Sequence, residues 1–171
     1  MTGKPCLFFR FSGHGAQLPS SGPEGRFWRP GWTSLKPPGH PWFPFGVWWL
    51  FDRLGVFQSR EYGIMILTEG GRTVHRSCVF PAFYRFPFMR AGELQIGDTW
   101  THPDFRGRGL ALCCIGRILE AFGERTYWYV TEEDNRASIR VIEKAGFHLA
   151  GRGRKRDPLG LRLTARYELG T

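Results

Sequence analysis

The chain has 171 residues and carries 24 lysines and arginines against 15 aspartates and glutamates, a net charge of +9. That length supports one domain with a real core and is marginal for two, and a 42% hydrophobic, 23% charged composition is ordinary for a globular protein. No apolar run nears the roughly 20 residues a membrane span needs, and the opening MTGKPCLFFRFSGHG is too short in its apolar stretch, broken by Arg10, for a secretory signal. A cytoplasmic location is therefore expected.

The positive charge suits a polyanionic ligand, whether nucleic acid, a nucleotide cofactor or an acidic surface. The four cysteines, Cys6, Cys78, Cys113 and Cys114, form no C-x-x-C pair. They read as free buried thiols, with no metal site.

Residues 1–46 hold eight of the twelve prolines, eight glycines and three tryptophans, Trp28, Trp32 and Trp42. Proline at this density removes donors and blocks helix. Disordered segments are poor in aromatics. The segment is therefore expected to be an irregular arm, packed on its own domain or forming a homodimer contact. The domain proper is expected over 47–171.

VWWLFDRLGVF, from Val47, fits a short helix ending at Gly55. EYGIMILTEGGRTVHRSCVF fits two strands joined at Glu69-Gly70-Gly71, a tight hairpin signal. PAFYRFPFMRAG is an aromatic-rich loop. ELQIGDTWT, Glu93 to Thr101, reads as a strand. From 107 to 122 the apolar positions Leu110, Ala111, Cys114, Ile115, Ile118, Leu119 and Phe122 have helical spacing. TYWYVT is a strong strand. Asp134 or Asn135 caps a second helix that runs through Lys144 and ends at Gly146. FHLAGRGRKR and LRLTARYEL fit two closing strands. From residue 60 the order is β-β-β-α-β-α-β-β, a mixed sheet with helices packed on it.

The chemistry concentrates where a strand gives way to a helix. Arg106-Gly107-Arg108-Gly109-Leu110-Ala111 places glycines and arginines at a helix start. Unpaired N–H groups and the positive end of the helix dipole meet an anion there. Glycine lets the anion approach the backbone, so the stretch reads as a diphosphate cradle. It is not a P-loop and not a complete dinucleotide fingerprint.

Arg106-x-x-Gly109-x-Ala111 resembles the R/Q-x-x-G-x-G/A motif of the GNAT acyltransferase superfamily. NRASIRVIEKAGFHLAG, Asn135 to Gly151, is similar to that family's N-x-x-[AS]-x-x-x-[YI]-x-x-x-G-F segment. The intervening strand and the spacing also fit, and the resemblance covers about residues 60–168. It implies an α/β (α+β) fold with a central mixed, mostly antiparallel sheet. That sheet is split at the cofactor site, between the strand ending near Thr101 and the strand at 126–131, and is flanked by helices.

It also implies acetyl-CoA (coenzyme A) as cofactor and transfer of an acetyl group to an amine of a small molecule or peptide by direct attack. In such proteins the backbone at Thr99, Trp100 and Thr101 pairs with pantetheine. The stretch Arg106, Gly107, Arg108, Gly109, Leu110 and Ala111 takes the pyrophosphate. Asn135 and Ser138 contact the pantetheine arm or the reacting centre. Many members carry a tyrosine as general acid where this chain has Ile142.

The general base is open among Glu93 and Asp98 on the central strand and His75 on the strand before it. The aromatic loop around Arg85 shapes the acceptor pocket or forms a satellite core. GRGRKRD binds a cofactor phosphate or nucleic acid, or is simply solvated. Two rival readings remain: a catalytically silent GNAT-like domain that binds CoA or a partner, and a basic nucleic-acid-binding protein, for which no recognised motif is present.

Overall fold

The computed structural model describes residues 3–13, 18–19, 22–37, 40–157 and 165–170. In chain order the elements are β1 (Lys4–Ser12), β2 (Glu24–Trp28), α1 (Trp42–Arg53), β3 (Gly63–Glu69), β4 (Arg72–Pro81), β5 (Leu94–Thr101), α2 (Leu110–Phe122), β6 (Thr126–Glu132), α3 (Arg136–Lys144), β7 (His148–Arg156) and β8 (Arg166–Leu169). The order expected from residue 60 is present. The first half of the last expected strand, residues 161–164, lies outside the described residues.

The strands form one sheet in the order β2-β3-β4-β5-β6-β1-β7-β8. Every pairing is antiparallel except β5 with β6, which is parallel. This is the mixed, mostly antiparallel α/β architecture that the sequence implied. Gly70 and Gly71, at φ +59 and +75, close the β3–β4 hairpin, the torsions a two-residue turn of matching twist demands.

The N-terminal segment differs from expectation. The irregular arm over 1–46 contains two strands, and β1 lies deep in the sheet, between β6 and β7. Its run Cys6-Leu7-Phe8-Phe9 is buried on both faces, the pattern of a strand covered on both sides. Prolines at 19, 23, 30, 37 and 41 fall between the elements, so they do not interrupt a ladder.

The two faces have separate cores. On one, α2 and α3 pack over Leu7, Phe9, Met65, Val79, Ile96 and Tyr127. On the other, α1 and the 81–92 loop cover Phe8, Ile64, Cys78, Phe80 and Trp128. The aromatic loop is thus core on this second face: Phe83 packs edge-on against Phe57 at 4.9 Å and Phe86 at 5.2 Å, while Trp48 of α1 meets Phe80 at 5.2 Å. No helix among the described residues is long and apolar enough to cross a membrane.

Candidate functional site

The parallel pairing of β5 with β6 lasts three residues and stops at Ile96 opposite Tyr129. The reason lies on the other side of β5. Cys78 pairs with Gly97 but Arg76 pairs with Trp100, so Asp98 and Thr99 together face Ser77. This bulge bends β5 and holds Asp98 at φ +47, rare for a residue with a side chain. Beyond Ile96, β6 continues alongside β1, and the edge of β5 from Gly97 to Thr101 has no strand partner on that side among the described residues. Such an edge is a row of open donors and acceptors.

The same edge leads to the start of α2. The helix expected from residue 107 begins at Leu110, because Gly107 and Gly109 take φ of +77 and +73. Among the described residues, nothing apart from the chain neighbours lies within 4 Å of where a Cβ would stand at either glycine. Gly109 is the N-cap, with no side-chain cap and no acid in the first turn. The helix start is therefore open to an anion. Arg106 is exposed beside it. Arg108 is held by Glu69 at 3.3 Å and stacks over Phe105 at 4.9 Å. Asn135 is the cap of α3, its Oδ1 accepting from the Ser138 N–H at 3.1 Å, while Asp134 is not.

A chain of hydrogen bonds runs under this edge on the α2 face. His75 Nδ1 lies 2.8 Å from Thr101 Oγ1, and His75 Nε2 lies 3.2 Å from Ser77 Oγ. Ser77 Oγ lies 3.0 Å from Thr99 Oγ1, which lies 2.7 Å from the Tyr129 hydroxyl. Burial, reinforced by the Arg76 cation, lowers the His75 pKa to about 4, so its imidazole is neutral at neutral pH. Burial pushes the Tyr129 phenol up to about 12, so it keeps its proton. The chain thus ends in a phenol at the point where the two strands part.

The opposite face holds a cleft of about 730 Å³ at the same split. Gln95 and Asp98 of β5, Glu132 of β6, Trp48 of α1, and Arg85 and Tyr167 are among its lining residues. Arg76 donates to the Asp98 carboxylate at 3.2 Å and the Cys78 thiol approaches it at 3.6 Å. Gln95 is 2% exposed. Its amide donates to the Ile96 carbonyl at 2.8 Å, which fixes Oε1 as the other atom, and Oε1 has no partner among the described residues. An unpaired buried acceptor costs free energy until a donor arrives.

The three candidate bases are thereby separated. Asp98 lines the cleft. His75 has no exposed surface and faces α2. Glu93 Oε2 accepts from the Trp128 indole at 2.7 Å and the Arg90 N–H at 2.9 Å, so it ties the aromatic loop to β6. Ile142 is fully buried in the core. Burial raises the Cys78 pKa well above the ordinary thiol value and takes Cys114 to about 12, which leaves no thiolate nucleophile there at neutral pH. The basic run of β7 is partly paired, Arg152 with Glu133 and Arg156 with Glu168 at 2.7 Å. Ser77, Gln95 and Arg76 were not singled out from sequence. Period-two alternation puts Tyr127 and Tyr129 on one face, but the cross-strand partners are set by the bulge.

The family model for the acetyltransferase (GNAT) family matches residues 30–147, more than half of the chain. No curated protein matches in sequence. Among solved structures, a GNAT-family acetyltransferase from Colwellia psychrerythraea aligns with TM-score 0.53 and 16% identity, over 86% of this chain and 53% of that one. A GNAT-family protein from Novosphingobium aromaticivorans aligns with TM-score 0.51 and 18% identity, over 89% of this chain and 62% of that one. The ribosomal-protein-S18-alanine N-acetyltransferase from Escherichia coli aligns with TM-score 0.50 and 17% identity, over 84% and 88%. At these identities the likeness is one of fold.

Proposed function

Because the chain belongs to the acetyltransferase (GNAT) family, we propose that it is an acetyl-CoA-dependent N-acetyltransferase acting on a primary amine. The observation that carries this reading is the open edge of β5 leading directly to an uncapped helix start with two positive-φ glycines. An extended amide-bearing arm pairs with such an edge as an added strand, and a diphosphate suits the α2 N–H groups beside Arg106 and Arg108. The residues present therefore fit acetyl-coenzyme A, which would supply an activated acyl group as its thioester when bound.

This chain's own residues then orient an amine and move its proton. The cleft on the other face meets the cofactor edge at the split, which supports acceptor binding there. Gln95 Oε1, buried and unpartnered, accepts from the amine N–H, and Asp98 takes its proton. The Tyr129 hydroxyl, at the end of the His75–Ser77–Thr99 chain, is the donor at the split. It stands in for the tyrosine that many members carry where this chain has Ile142. Most of the acceleration would come from orientation and from backbone donors at the bulge.

Titration calorimetry with acetyl-CoA tests the cofactor site. The expected result is binding by the wild type and none by Gly109→Glu, whose far-UV circular dichroism is unchanged. Equal binding by that variant would mean the site is elsewhere. With amines added, Asp98→Asn should keep its acetyl-CoA affinity and lose roughly 10²–10⁴-fold in turnover. Tight binding by the wild type without turnover on any amine would favour the catalytically silent reading.

A further inference from the structure

A second cleft, of about 630 Å³, opens on the acceptor face farther along β5. Arg72, Thr73 and Arg76 of β4, Trp100 of β5, and His40 line it. No carboxylate is among the described residues lining it. Arg76 is already matched to Asp98 at 3.2 Å. Arg72 is exposed, its guanidinium lies 2.7 Å from His102 Nε2, and no carboxylate is among its described partners. Trp100, 37% exposed, supplies a flat wall.

This cleft is not the cradle at α2. The guanidinium of Arg76 lies 4.8 Å from the ring centre of Phe45, which belongs to the core on the α1 face, whereas Leu110 and Cys113 at the start of α2 belong to the core on the other. Arg76 stands between the two acceptor-face clefts, one side of it on Asp98 and the other lining the cationic pocket.

We infer that the acceptor is an amine that also carries an anionic group, a carboxylate or phosphate, seated at Arg72 against Trp100 while its nitrogen lies at Gln95 and Asp98. A guanidinium binds either oxyanion through paired N–H groups. A purely cationic acceptor would meet repulsion at this end. The inference rests on the acetyltransferase reading for the identity of the amine end, but the anion site can be measured without turnover.

The test uses ω-amino acids of three chain lengths and their matched carboxamides, titrated by calorimetry into the protein saturated with CoA. At one length the acid should bind at least about tenfold tighter than its amide, as a charge-assisted pair allows. Arg72→Gln should erase that preference while leaving amide binding and CoA affinity unchanged, and Arg72→Lys should retain part of it. Equal binding of acid and amide at every length would overturn the proposal. So would an Arg72→Gln variant that loses CoA affinity in place of the acid preference, since the cleft would then serve the cofactor. An intact acid preference with no acetyl transfer would leave the anion site standing and defeat the acetyltransferase reading.

Discussion

His75 shows how far a single residue's chemistry depends on its surroundings. By type it titrates near neutral pH and qualifies as a base. In the fold it is fully buried, with both ring nitrogens engaged, and its pKa falls to about 4. The unfolded imidazole takes up its proton near 6.5, so between these values the unfolded state binds more protons. Stability is then lost as the pH falls through that window, by up to about 3 kcal/mol. The urea midpoint of the wild type should therefore drop more steeply from pH 6.5 to 4 than that of His75→Gln. Parallel slopes would mean the imidazole is not held neutral. The residue's position in β4 was legible from the strand pattern. Its burial was not, because α2, which covers it, is a separate element some 35 residues on.

At the scale of elements, β1 is the largest departure from what the sequence led one to expect. Its run CLFFRF is a strand pattern, but proline and glycine farther along the segment dominated the composition. The partners that hold it are remote: Phe8 pairs with Val130 and Gly151. A Cβ at Gly153 would strike the Phe8 ring and the Glu168 carbonyl, so that glycine permits the close approach of β7 to its neighbours. Because β1 joins β6 to β7, deleting residues 1–12 should divide the sheet and abolish cooperative unfolding. Phe8→Ala should cost about 3–5 kcal/mol. A truncated chain with an unchanged thermal transition would contradict this placement. The helix after the glycine-arginine stretch was legible in its apolar spacing. Its true start was not, since helical periodicity extends past the point where Gly107 and Gly109 turn left-handed.

Across the whole molecule, the net charge of +9 is the excess of bases left after every acid is counted, including those in ion pairs such as Arg125–Glu61 at 2.7 Å and Arg76–Asp98. The remaining field attracts a polyanion over the first several ångströms of its approach. The association rate of acetyl-CoA, followed by stopped-flow tryptophan fluorescence, should fall by roughly tenfold between low salt and about 0.5 M, with a much smaller change in dissociation. A salt-independent rate would mean that local contacts alone guide the ligand.

The residue order alone determined the elements from residue 60, the hairpin turn and the glycine-arginine stretch ahead of α2, because each depends on neighbours a few positions away. Tertiary structure decided the rest. Only pairing between distant strands puts β1 inside the sheet, ends the β5–β6 ladder at Ile96 and forces Asp98 into its bulge. Only the two faces of that sheet separate a neutral, buried His75 from a cleft lined by Gln95 and Asp98. Those properties come from desolvation and register, and both are set by residues far apart in the chain.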